Sequence, residues 1–222
     1  MDWTAASGPG TLAGVAIGAV RGGRRLFAGL DFALPPGGAL VLTGPNGSGK
    51  SSLLRLLAGF GRPAAGRFTW DGADIGEEPE AHRARLHYVG HQDALKPALT
   101  VDETLRFWRG LAGHGETFTP RALYAFGLAT LADLPCRYLS SGQRRRLALS
   151  RLAAWPAPLW LLDEPTVGLD AAALAQLAEA CRTHRAAGGS IVVSTHQDFD
   201  LEDALTASLA DFLPTAATTV GW

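Results

Sequence analysis

Apolar residues fall into runs over 12–20 and 30–34, separated by the polar turn Arg21-Gly22-Gly23-Arg24. Two strands joined by a tight turn are the simplest structure for that pattern. Pro35-Pro36-Gly37-Gly38 then punctuates the chain, and Ala39-Leu40-Val41-Leu42-Thr43 is a continuous apolar run suited to a strand buried on both faces. A helix is expected to begin inside the next glycine-rich segment, run through 52–58 and stop at Gly59. Arg67-Phe68-Thr69-Trp70 before Asp71-Gly72, and Leu86-His87-Tyr88-Val89 before Gly90, read as further strands.

The middle of the chain changes character. Thr100 can cap a helix opening Val101-Asp102-Glu103, with Glu103 at the third helical position closing a capping box. Thr119-Pro120 repeats the N-cap and first-turn proline arrangement ahead of 121–126. Beyond this region the pattern predicts a helix over about 141–154, a strand over 159–162, a helix capped by Asp170 and a buried strand over 190–194. Leu174, Leu177, Ala178 and Cys181 share one face of the Asp170-capped helix. Strands alternating with helices of this length require an α/β fold with mostly parallel pairing and right-handed crossovers. We therefore expect one domain over 11–205, a helical insert at about 92–139, and peripheral segments at 1–10 and 206–222.

Composition narrows the possibilities. The 222 residues are 47% hydrophobic and 18% charged, enough apolar material to exclude global disorder. Twenty Lys and Arg against 21 Asp and Glu argue against a generally basic nucleic-acid binder. No apolar run approaches the roughly 20 residues that cross a bilayer as a helix, so work at a membrane is expected from its side. Met1-Asp2-Trp3 does not open like a secretory signal. Cys136 and Cys181 lack the close Cys or His neighbours of a zinc signature and are expected to pack as small apolar groups in a reducing compartment.

The strongest chemical signal is Gly44-Pro45-Asn46-Gly47-Ser48-Gly49-Lys50-Ser51, a full phosphate-binding loop between the strand and the helix it needs. Its glycines let successive N–H groups converge on phosphate at a helix N-terminus. Lys50 is expected to reach the β- and γ-phosphates of ATP, and the Ser51 hydroxyl to ligate Mg²⁺. Asp163, at the end of a buried apolar strand, supplies the metal-side acid, and Glu164 beside it can orient or deprotonate water. Gln92 and His196 each follow a strand, where ligand-facing residues of a parallel sheet gather. Gln92 can reach Mg²⁺ or water, and His196 a γ-phosphate.

Taken in order, Gly44 to Ser51, Gln92, Leu139-Ser140-Ser141-Gly142-Gln143, Asp163-Glu164, Gly168-Leu169-Asp170 and His196 resemble the nucleotide-binding subunits of ATP-binding-cassette transporters, over residues 12 to 205. The resemblance implies a P-loop ATPase of that type, with an N-terminal antiparallel β subdomain and an inserted helical subdomain. It also assigns Ser52 to the nucleotide-binding segment, and makes Ser140, Ser141, Gly142 and Gln143 a signature that touches the γ-phosphate held by a second subunit. A head-to-tail pair of identical chains enclosing two ATP molecules follows from it. The sequence departs from the family at Ser141, where glycine is usual, and at the adenine-stacking aromatic, whose approximate place is taken by Ala19, Val20 or Arg21.

Within the family the chain is most similar to the ATP-binding subunits of bacterial cytochrome c biogenesis haem exporters. Arg24-Arg25-Leu26-Phe27, Tyr88-Val89-Gly90-His91-Gln92, Arg144-Arg145-Arg146 after the signature, and Pro158-Leu159-Trp160-Leu161-Leu162-Asp163-Glu164-Pro165-Thr166 carry that likeness. It implies integral membrane permease partners, a peripheral place on the cytoplasmic face of the bacterial inner membrane, and haem handled by partners rather than by this chain. A transporter ATPase for another substrate and a soluble ATPase of the same fold remain the alternatives. Leu95, Phe107 and Trp108 beside Gln92 are the candidate surface for a membrane-subunit helix; the competing expectation is that they pack inside the insert.

Overall fold

The structure is a computed structural model that describes residues 10–115, 120–195, 199 and 201–213. In chain order the elements are β1 (Leu12–Arg21), β2 (Arg24–Leu34), β3 (Ala39–Thr43), α1 (Lys50–Leu57), β4 (Ala65–Trp70), β5 (Ala73–Asp74), α2 (Pro79–Ala84) and β6 (Leu86–Val89). They continue with α3 (Val101–Leu111), α4 (Pro120–Ala125), α5 (Ser141–Ala154), β7 (Leu159–Asp163), α6 (Ala171–Ala186), β8 (Ser190–Ser194) and β9 (Leu205–Ser208). One sheet is antiparallel in the order β2-β1-β4-β5; the other runs β6-β7-β8-β3-β9 with every pair parallel.

The period-two geometry of the central strands divides the core between two faces. Leu40, Leu42, Leu159, Leu161 and Val192 join α1 and the antiparallel sheet on one side. Trp160, Leu162, Ile191 and Val193 join α5, α6 and the helical insert on the other. Because both faces are covered, β7 and β8 are buried at every position, which explains their unbroken apolar sequences. All these strands deliver their carboxyl ends to one edge, where the phosphate-binding loop leaves β3 and Asp163 ends β7.

Local signals behave as the sequence requires. Thr100 Oγ1 accepts from the Glu103 N–H at 3.2 Å while Glu103 Oε2 accepts from the Thr100 N–H at 2.8 Å, closing the capping box of α3. Asp170 Oδ1 accepts from the Ala173 N–H at 2.8 Å and caps α6. The buried face of α6 consists of Ala173, Leu177, Ala180, Cys181 and His184, so Leu174 and Ala178 lie at its margin rather than its centre. Cys136 and Cys181 are both buried free thiols, and burial pushes Cys181 up to about 12.

Two expectations are corrected. Residues 206–213 do not lie outside the domain: Leu205–Ser208 pairs in parallel with Leu40–Thr43, and Leu209 is fully buried in the turn that follows. An edge strand with one partner and no fully buried residue leaves little pattern in the sequence. The proposed aromatic surface also fails at Trp108, which is 8% exposed and has the Arg151 guanidinium 3.8 Å from its ring centroid. Val101, Thr104, Leu105 and Trp108 recur at three- and four-residue steps and form the inward stripe of α3. Phe107 and Leu95 are partly buried against the same core, with the Lys96 ammonium 4.2 Å from the Phe107 ring centroid.

At the opposite end of β7 the His184 ring lies flat on Trp160, with centroids 3.9 Å apart and planes within 7°. His87 Nε2 meets the Trp155 carbonyl at 2.9 Å. Burial pushes His87 down to about 3 and His184 to about 4, so both imidazoles are neutral in the folded chain and take protons on unfolding below about 6.5. Their contribution is therefore complete above pH 6.5 and lost as pH falls toward 4 and then 3. Each histidine should add a slope of about 1 kcal/mol per pH unit in that window. Denaturant unfolding between pH 7 and 4 tests this: His184→Phe, which keeps a stacked ring without a titrating group, should flatten the decline. An unchanged slope would contradict the assignment.

Candidate active site

Between β3 and α1 the chain turns through Gly44, Gly47 and Gly49, all with positive φ. Gly49, the N-cap of α1, has φ 108°, and a Cβ there would stand 2.9 Å from the Phe27 ring, so the turn requires glycine at this point. Lys50 Nζ donates to the Gly44 carbonyl at 2.8 Å and to the Pro45 carbonyl at 3.3 Å. Burial lowers the Lys50 pKa, while the charges of Glu164 and Asp163 act in the opposite direction. The first turn of α1 carries no acidic side chain, leaving its positive end available to an anion. Ser48 Oγ is buried without a hydrogen-bond partner among the described residues.

Asp163 is 2% exposed, and its Oδ1 accepts from Ser51 Oγ at 3.0 Å and Ser194 Oγ at 2.6 Å. One carboxylate thus joins the start of α1 to the ends of β7 and β8. Glu164 follows with φ 50°, a left-handed conformation uncommon for a residue with a side chain. Its N–H is shared between the Ser194 carbonyl at 3.1 Å and Ser194 Oγ at 3.2 Å.

A cavity of about 450 Å³ opens over these groups. Its walls are Arg21 and Leu26 from the β-hairpin, Asn46, Gly47 and residues 49–52 from the loop and α1, His91 after β6, and Glu164 and Val167 after β7. The chemistry fits a magnesium nucleotide. The loop and the Lys50 ammonium line it, and the Ser51 hydroxyl on its wall donates to the buried Asp163 carboxylate behind it, which puts together oxygen donors of the kind Mg²⁺ prefers. Among the described residues no three His, Cys, Asp or Glu converge. A Mg²⁺ held here would therefore complete its shell with phosphate and water.

The expected site residues distribute unequally. Asn46, Gly47, Gly49, Lys50, Ser51, Ser52 and Glu164 line the cavity. Gln92 is exposed and not on its wall, whereas its neighbour His91 is. Arg21 is the one of the three possible base-facing residues that reaches the wall. His196 lies outside the described residues. Ser140 to Gln143 do not line this cavity; they open α5 in a second capping box. Ser140 Oγ accepts from the Gln143 N–H at 3.2 Å and Gln143 Oε1 accepts from the Ser140 N–H at 2.8 Å. Ser140 and Ser141 are exposed, so the extra side chain at 141 has room. Gly142 is confined, since a Cβ there would sit 3.0 Å from the Gly168 carbonyl oxygen. Sequence reasoning missed His91 and Ser194. Ser194 ends a buried strand directly beside Asp163 in the register, which only the pairing of β7 with β8 reveals.

The ABC transporter family model matches residues 27–167. The chain is 57% identical over 213 residues to the cytochrome c biogenesis ATP-binding export protein CcmA of Rhodospirillum rubrum, covering 96% of this chain and 91% of the relative. It is 54% identical over 200 residues to the protein of the same name from Paramagnetospirillum magneticum, covering 88% and 92%. Among solved structures it resembles an ATP-binding subunit of an ABC transporter, with a TM-score of 0.74, 26% identity and coverage of 83% of this chain and 79% of that one. A putative ABC transporter ATP-binding protein from Pyrococcus furiosus shares the fold at a TM-score of 0.79, 18% identity and coverage of 92% and 100%. With the family model spanning more than half of the chain and relatives above 50% identity covering most of it, the chain belongs to the ABC transporter family, as an ATPase domain closely related to the CcmA cytochrome c biogenesis proteins.

Proposed function

We propose that this chain is the ATP-hydrolysing subunit of a membrane complex in cytochrome c biogenesis, and that two copies pair head to tail around two ATP molecules. The observation that carries the pairing is the position of the signature: Ser140 to Gln143 form an exposed helix start that does not line the cavity of their own phosphate-binding loop. A helix N-terminus presenting Ser140 and the Gly142 N–H is a second anion site, and a partner copy would bring it to the γ-phosphate.

In this reading the loop N–H groups, the start of α1 and Lys50 hold the β- and γ-phosphates. Ser51 and Asp163 would hold Mg²⁺, with Gln92 as a further ligand from the segment that carries His91. When bound, the ion would supply positive charge against the phosphate oxygens. Glu164 orients the attacking water and takes its proton as the new P–O bond forms and the β–γ bridging bond breaks, giving ADP and phosphate. His196 keeps the water and γ-phosphate aligned.

Among the described residues no helix is long and apolar enough to cross a membrane. Integral permease subunits would supply the span, with this chain peripheral on the cytoplasmic face of the bacterial inner membrane. Haem would be handled by those partners, and ATP hydrolysis here would drive release of a haem-loaded chaperone. The relatives named for cytochrome c biogenesis, which cover nearly the whole chain, support this assignment. The test is chaperone release from the purified membrane complex: release should require hydrolysable ATP and stop with Glu164→Gln in this chain. Release at the same rate without ATP would overturn the reading.

A further inference from the structure

Arg145, on the first turns of α5, is 4% exposed and buried at the junction of three segments. Its Nη2 donates to the Asp163 carbonyl at 2.9 Å and the Glu164 carbonyl at 2.7 Å, and its Nε to the Pro165 carbonyl at 3.3 Å. Its Nη1 donates to the Gly90 carbonyl at 2.9 Å and to Asp93 Oδ1 at 3.1 Å. A guanidinium has five N–H groups, and these five acceptors match them one for one. Three acceptors belong to the turn that carries Glu164, and the other two bracket His91 and Gln92.

We propose that Arg145 is a positioning residue for hydrolysis, fixing the Glu164 turn and the His91–Gln92 segment to each other and to the signature helix. The inference rests on Glu164 being the residue that activates water. Glu164 occupies a left-handed backbone conformation, and Arg145 holds its carbonyl and those on either side. The same planar group grips the segment whose His91 also lines the cavity. Arg145 does not itself line the cavity and makes no hydrogen bond to the phosphate-binding loop, and it meets the cavity wall only through the Glu164 carbonyl, so it should act on the geometry of the chemical step rather than on ATP binding. Lysine cannot replace it, because an ammonium has three N–H groups and no planar fork. The arrangement also makes α5 rigid with the turn beside the chain's own ATP, so a displacement of one would be felt by the other.

The test compares Arg145→Lys with Glu164→Gln in the full-length chain, measuring steady-state ATP hydrolysis, affinity for a non-hydrolysable ATP analogue and thermal unfolding. Arg145→Lys should lower kcat by about 10- to 100-fold, as small misplacements of a reacting group do, while changing analogue affinity by less than about threefold. Asp93→Ala, which removes one acceptor at a partly exposed position, provides a milder probe with the same signature, a several-fold fall in kcat at unchanged affinity. Wild-type kcat in either variant, with Glu164→Gln inactive, would overturn the positioning role and leave the Glu164 assignment standing. Parallel loss of folding, affinity and turnover in both variants would also overturn it, making Arg145 a staple of the core alone. Wild-type turnover in Glu164→Gln would instead remove the reading on which the proposal rests.

Discussion

Glu164→Gln is expected to bind ATP about as well as the parent chain and to hydrolyse it at least about 10²-fold more slowly, the usual cost of removing a general base. The substitution keeps the shape of the side chain and the backbone hydrogen bonds to Ser194, which hold the turn. What disappears is the carboxylate of a cavity-lining residue, the group that can accept a proton. Nucleotide affinity depends on other groups, so it should survive, and the trapped ATP should favour a closed pair of chains. Single-turnover hydrolysis beside equilibrium ATP binding checks both halves. Parent-like turnover would remove Glu164 from the chemical step.

Lys50→Ala should affect binding and chemistry together. The ammonium now donates to the Gly44 and Pro45 carbonyls and lies within electrostatic reach of Glu164 and Asp163, at the place where the β- and γ-phosphates would lie. A hydrogen bond to a charged group contributes about 1.5–3 kcal/mol, so its loss predicts ATP affinity lower by roughly 10- to 100-fold. Turnover should fall by at least as much, since negative charge grows on the phosphate oxygens during transfer. Titration with ATP and a saturating rate measurement separate the two effects. Unchanged affinity and rate would contradict the role given to the loop.

The chemistry that was legible in the sequence is local chemistry. A phosphate-binding loop needs its glycines, lysine and serine in consecutive positions, and the boxes opened by Thr100 and Ser140 each close within four residues. What could not be read is what the tertiary fold assembles. Arg145 sits in the run Arg144-Arg145-Arg146, which looks like a solvated basic patch until α5 turns its middle member inward against β6 and β7. Ser194 becomes a partner of Asp163 only through the register of β8 on β7. Leu205–Ser208 joins the sheet by backbone pairing, which needs no apolar alternation. Trp108 was the opposite case, since its stripe with Val101 and Leu105 was present in the sequence but aromatic character beside Gln92 suggested a surface.

The central claim is that one chain's phosphate-binding loop is completed by another chain's signature, and mixing two inactive variants tests it directly. Lys50→Ala disables a loop, and Ser140→Arg places a bulky cation at the exposed start of α5. Each alone should be nearly inactive, because every site in the pair contains the lesion. In a mixed pair, the Ser140→Arg chain contributes an intact loop and the Lys50→Ala chain an intact signature, so one site carries no substitution. Hydrolysis by the mixture should therefore rise well above that of either variant measured separately at the same total concentration. A mixture no more active than its components, or a Ser140→Arg chain with parent-like turnover by itself, would contradict the shared site.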